Sequence, residues 1–116
     1  MLGGGGIIAQ AASLYDCSLG IGAGSNGVVV TYTTQFTNTA SEIGVRDIVL
    51  YEKIGNTWHT YNIPQVSEKN ASGFSSGGTY TNAVKGRTYK ATCTHYAVYN
   101  GVTYTLGNST REFVYN

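Results

Sequence analysis

The stretch VRDIVLYEKIGNTWHTYNI, residues 45–63, reads as two strands folded around a two-residue turn. Gly55-Asn56 separates a hydrophobic run from a Thr- and aromatic-rich one, which is a compact hairpin signal. A two-residue loop sets Lys53 opposite Trp58, Glu52 opposite His59, Leu50 opposite Tyr61 and Ile48 opposite Ile63. Side chains alternate between the two faces of a strand. Tyr51, Trp58 and Thr60 therefore belong together on one outer face of this hairpin.

A second hairpin is predicted near the C-terminus. Strands over 87–99 and 102–115 meet at Asn100-Gly101, a pair suited to a type I′ turn because both central residues need positive φ. The register pairs Tyr99 with Val102, Ala97 with Tyr104 and His95 with Leu106. Cys93, His95, Ala97, Tyr99, Val102, Tyr104 and Leu106 then share a face assigned to the core. Thr92, Thr94, Tyr96, Val98, Thr103 and Thr105 take the outer face.

The same period of two recurs upstream. Residues 14–22 place Tyr15, Cys17, Leu19 and Ile21 on one face, and residues 28–37 place Val28, Val30, Tyr32 and Phe36 on one face. Residues 38–44 and 64–73 read as loops, and 74–83 as a weak strand. No apolar series at helical spacing runs for three turns. The expectation is all-β: one antiparallel β-sandwich of about seven strands over residues 13–116. Residues 1–12, with four glycines before Ile7 and Ile8, stand apart as an N-terminal arm or leader remnant.

Composition narrows the function classes. Charged residues make up 11% of the 116, against roughly 25% in an average soluble chain. With a net charge of +1, no broad field draws in nucleic acid or an anionic membrane. Lys85, Arg87 and Lys90 cluster locally and read as a solvated turn and strand edge. No apolar run reaches transmembrane length. The ten tyrosines read mostly as packing residues, with Tyr15, Tyr32, Tyr89, Tyr99 and Tyr104 inward. Tyr51, Trp58 and Tyr96 remain as a candidate exposed binding patch.

Cys17 and Cys93 match no zinc or redox spacing. A disulfide between them is expected, with two buried free thiols as the alternative. The bond would close a loop of about 76 residues, for roughly 4–5 kcal/mol in the chain-entropy model, and would imply an oxidising compartment. Cys93 and His95 share a face, but two residues of strand separate their Cα atoms by roughly 6–7 Å, which disfavours a direct bond. Asp16, Glu42, Asp47, Glu52, Glu68 and Glu112 are scattered, without a calcium loop, phosphate loop or zinc-protease motif. No catalytic set, metal site or cofactor is expected, and the chain does not read as an enzyme.

The order of features in IVLYEKIGNTWHTYNI and SGGTYTNAVKGRTYKATCTHYAVYNG resembles a group of small secreted β-sandwich proteins of Gram-positive bacteria, immunoglobulin-like or fibronectin-like in outline. The likeness covers roughly residues 13–116 and rests on strand and turn grammar. It departs from antibody-type domains in two places. A tyrosine corner would put Tyr two residues before the second cysteine, where this chain has Ala91. Trp58 falls after the hairpin turn. The resemblance implies export to the cell surface or medium and a non-catalytic structural or interaction module, with no site residues to transfer. Two roles are expected of such a module. Ile7, Ile8 and Ala9 can serve as a donor strand added to another copy, building extracellular filaments. The alternative is a glycan-binding, adhesin-type module that stacks cell-wall or host sugars on Tyr51, Trp58 and Tyr96.

Overall fold

The computed structural model describes residues 11–116. Among them are seven strands and no helix: β1 (Ser18–Ala23), β2 (Val28–Ile54), β3 (Thr57–Ile63), β4 (Val66–Tyr80), β5 (Thr88–Tyr99), β6 (Val102–Ser109) and β7 (Phe113–Val114). All pairings are antiparallel and belong to one hydrogen-bonded sheet. The chain is all-β, as its alternation predicts. The proposed donor segment Ile7, Ile8 and Ala9 lies outside the described residues.

The Gly55-Asn56 turn forms as expected, with Gly55 at φ 63°. Positive φ at the first central residue is the type II′ pattern, for which glycine is suited. The register follows: Lys53 faces Trp58, Leu50 faces Tyr61 and Ile48 faces Ile63. It then continues without a slip past Pro64-Gln65, so that Val45 faces Val66 and Ala40 faces Ala71. β3 and β4 are thus two parts of one arm lying along the 27-residue strand β2. Pro64 is accommodated because this arm is an edge of the sheet, where a missing N–H costs no ladder bond.

This corrects two expected loops. Residues 38–44 are the middle of β2, and most of 64–73 lies in β4. The first shows no clean alternation because Ile43, Gly44 and Val45 are all buried in succession, and the second because nearly all of its residues are exposed. Gly44 is required by close approach: a Cβ there would lie 2.1 Å from the Val66 carbonyl oxygen and 2.7 Å from Ser67 Cα.

Irregularities bend the sheet so that it faces itself. Between Gln35↔Gly73 and Ala40↔Ala71, β2 carries more residues than β4, a bulge around Phe36–Thr39. A second bulge falls at Asp47, between Arg46↔Thr94 and Val49↔Thr92, with φ 50°. Bulges bend the strand and increase its twist. The first half of β2 returns over the second: Val28, Val30 and Tyr32 share a buried cluster with Val45, Ile48, Leu50, Tyr89, Ala91, Cys93 and Tyr115. A smaller cluster gathers Phe36, Ala40, Ile43 and Ala97.

A third irregularity overturns the expected parity of the N-terminal strand. Asp16 has φ 47°, and the pairing shifts between Leu14↔Phe36 and Ser18↔Thr33. Leu19 and Ile21 pack inward as predicted, but before the kink Leu14 takes the inward place and Tyr15 is 44% exposed. The last hairpin keeps its predicted register, and Asn100 and Gly101 both have positive φ. Its core assignment holds for Cys93, His95 and Ala97. Val102 and Leu106 are exposed; among the described residues β6 pairs with β5 alone.

Gly44→Ala is expected to destabilise the protein by about 1–3 kcal/mol or more, since the new methyl meets backbone rather than a side chain that can move. Gly78→Ala, where a Cβ meets nothing within 4 Å, should change stability by less than about 0.5 kcal/mol. Urea unfolding of both variants checks this. Equal, small effects would mean that residues 38–44 do not pair with β4.

Candidate functional site

Two places gather chemistry-bearing side chains. One lies inside the folded sheet and one on its outer face.

Inside, His95 links the two layers between the apolar clusters. Thr34 Oγ1 donates to the Gly44 carbonyl at 3.1 Å, so its contact of 2.8 Å with His95 Nδ1 is an N–H donation from the ring. Asn108 turns its Nδ2 towards His95 Nε2 at 3.2 Å, because its Oδ1 accepts from the Ser109 N–H. Cys93 Sγ lies 3.6 Å from the same Nε2. Nε2 is therefore the acceptor and the imidazole is neutral. Burial lowers the His95 pKa below its ordinary value of 6.5. Burial also pushes the Cys93 thiol up to about 11, with Cys17 adding to the effect. A nucleophilic cysteine needs the opposite shift, towards thiolate. The Cys–His neighbours are a satisfied core pair.

The expected Cys17–Cys93 disulfide is not formed, and both cysteines are free thiols. Their sulfurs serve different partners: Cys17 donates to the Tyr15 and Gln35 carbonyls, while Cys93 turns to His95. The kink at Asp16 aims Cys17 along its own strand pair. Burial raises the Cys17 thiol too, and backbone hydrogen bonding at Gln35 and Tyr15 offsets part of the rise.

A second buried polar group closes one end of the core. Glu52, expected opposite His59, is 1% exposed. The two remain Cα partners on the face of Leu50 and Ile48; Glu52 is covered there, and His59, near the turn, is exposed. Tyr61 donates to the Glu52 carboxylate at 2.6 Å, Tyr89 at 2.5 Å and Arg87 at 3.4 Å. Burial alone would raise the Glu52 pKa; the two hydroxyls and the guanidinium more than offset it, and the carboxyl sits below its usual range. Tyr89 is correspondingly pushed up to about 12 by burial and by the carboxylate. Among the described residues, no group of three or more His, Cys, Asp and Glu is placed to hold a metal ion.

On the outer face, the predicted patch splits. Tyr51 and Trp58 come together, edge to face, with ring centroids 6.5 Å apart, and both are half-buried. Tyr96 does not join them as an exposed group. It points outward by register but is 2% exposed. It pairs with Gly44, which offers no side chain, and its hydroxyl reaches the carboxylate of Glu42 while accepting from Gln65 Nε2 at 2.7 Å. Arg46 covers its ring at 5.2 Å.

The outer face also holds Lys90, expected at a solvated strand edge, and Lys53. Lys90 Nζ lies 4.3 Å from the Trp58 centroid and 5.3 Å from that of Tyr51. Lys53 Nζ lies 5.8 Å from Trp58. The Lys53–Trp58 pairing was readable from the turn. The Lys90 contact was not, because it depends on β5 pairing with β2, where Tyr51 faces Lys90. The expected Lys85, Arg87 and Lys90 cluster disperses: Lys85 rests over Tyr115 at 5.9 Å, Arg87 turns to Glu52, and Lys90 joins the aromatic pair.

Stability should fall in two steps on acidification. His95 is held neutral, so below pH 6.5 the unfolded chain takes up a proton that the folded one refuses, and stability drops. Glu52 has a lowered pKa, so its contribution is present above about pH 4.5 and is lost as pH falls through its folded value. Urea midpoints from pH 8 to pH 3 should show both. His95→Gln should remove the upper step and Glu52→Gln the lower; an upper step surviving His95→Gln contradicts the assignment.

No family model, curated protein sequence or solved structure matches the chain.

Proposed function

We propose that the protein is a non-catalytic, secreted or surface-displayed interaction module of the Gram-positive sandwich type, and that it binds glycans through the outer face of β2, β3 and β5. The observation that carries this is the half-exposed Tyr51–Trp58 pair on a face otherwise rich in threonine. Rigid aromatic rings offer contact area at small entropic cost, and hydroxyls offer hydrogen bonds of both senses. The neutral state of Cys93 and His95 supports a non-catalytic reading. With the cysteines free, the extracellular location rests on the low charge content and on the resemblance. Trp58→Ala should weaken binding on a glycan array or in a polysaccharide pull-down by about tenfold. No binding by the parent, or binding indifferent to Trp58→Ala and Tyr51→Ala, rejects the reading.

A specific observation favours self-association as a second role. An apolar crevice of about 300 Å³ opens between the layers, lined by Val30, Leu50, Tyr61, Ile63 and Tyr80. It offers a seat for an apolar strand such as Ile7-Ile8. In this second role the occupant is the arm of a neighbouring copy. Sedimentation of the full chain should show concentration-dependent growth that disappears when residues 1–10 are removed. Identical behaviour of the two forms rejects this role.

A further inference from the structure

The outer-face cations have no acidic partners. Among the described residues the ion pairs are Lys69–Glu42 and Arg87–Glu52; Lys53, Lys90 and Arg46 make none. Each rests on an aromatic ring: Lys90 on Trp58 and Tyr51, Lys53 on Trp58, Arg46 on Tyr96. The pairing fixes their layout. Tyr51 faces Lys90 and Lys53 faces Thr88, so the two lysines are diagonal neighbours. Arg46 faces Thr94, four residues along β5 from Lys90, or roughly 13 Å. Of the two acids next to this group in sequence, Glu52 lies on the inner face, held by Tyr61 and Tyr89, and Asp47, at the bulge beside Arg46, is exposed and makes no ion pair among the described residues. A chain with a net charge of +1 thus presents three unneutralised cations on one face.

We infer that the ligand of this face is an acidic polysaccharide, whose carboxylate, sulfate or phosphate groups bind Lys53, Lys90 and Arg46. The inference rests on the glycan-binding reading above and names its ligand class. The ammonium of Lys90 at 4.3 Å from the Trp58 centroid occupies a place over the ring where a neutral sugar would stack. A sugar bearing an anion contacts the cation first and reaches the flanking aromatic edge and threonine hydroxyls second. Cations spread along a strand suit an extended polymer rather than a lone small anion. Nucleic acid fits less well, because base stacking needs uncovered ring faces and a denser track of positive charge.

The test compares the full chain's binding to dextran, to its carboxymethyl, sulfate and phosphate derivatives, to polyglutamate and to single-stranded DNA, at two salt concentrations. At least one acidic dextran should bind about tenfold or more tightly than dextran and polyglutamate, with affinity falling as salt rises. The Lys53→Gln/Lys90→Gln double variant should lose about tenfold, while Lys69→Gln/Lys85→Gln, with the same net charge, should bind as the parent does. Dextran bound as tightly as its derivatives overturns the charge inference and leaves glycan binding standing. Polyglutamate or DNA bound as tightly as the acidic dextrans overturns the glycan class itself. Binding to none of the polymers, or equal losses in the two double variants, also overturns the inference.

Discussion

The register set at Gly55-Asn56 is the constraint on which the rest of this structure depends. A two-residue turn with its glycine in the left-handed region closes β2 onto β3 in one alignment. That alignment carries past Pro64 as far as Ala40↔Ala71. A slip of one residue would exchange the faces of the whole arm. Tyr61 would leave Glu52, and Trp58 would leave Lys53. The buried carboxylate network and the outer aromatic face are consequences of the same turn.

The bulges do the complementary work. A 27-residue strand that stayed straight would leave one face without a partner. The break in pairing around Phe36–Thr39 brings Val28, Val30 and Tyr32 back over Val45, Ile48 and Leu50. A hydrogen bond from His95 to Thr34 then joins the layers at a point where apolar packing divides into two clusters. Such a bond contributes about 1 kcal/mol net when made, but leaving the buried ring unsatisfied would cost more. This favours one alignment of the two layers over sliding alternatives. The same network that fixes the core keeps the imidazole neutral and the Cys93 thiol protonated.

Strand parity sorts the charges around the outer face. Glu52 shares the inner face with Leu50 and is held there by two tyrosine hydroxyls and Arg87, and Glu42 is held by Tyr96 and Lys69. Lys53, Lys90 and Arg46 remain, supported by rings instead of carboxylates. Cation–π contacts at such partly exposed positions contribute about 0.5–1 kcal/mol each. They orient the cations without neutralising them, which suits an anionic ligand.

The two hairpins, their registers, the all-β class and the meeting of Tyr51 with Trp58 were determined by the sequence alone, because Gly and Asn at a two-residue turn leave few backbone choices and strand parity does the rest. The strand character of residues 38–44 and 64–73 was decided by the tertiary structure. Ile43 to Val45 are buried on both faces, which erases alternation, and Gly44 is explained only by the Val66 backbone against it. Parity misplaced Tyr15, because a left-handed Asp16 reverses the faces without a turn signal; it set Tyr96 on the correct outer face but not its burial, because an outward ring is buried when its cross-strand partner is glycine. The free thiols of Cys17 and Cys93, the Tyr89 and Arg87 partners of Glu52 and the seat of Lys90 all depend on pairings between residues distant in the chain. A local pattern sets which face a side chain takes; only the folded sheet sets what lies opposite it.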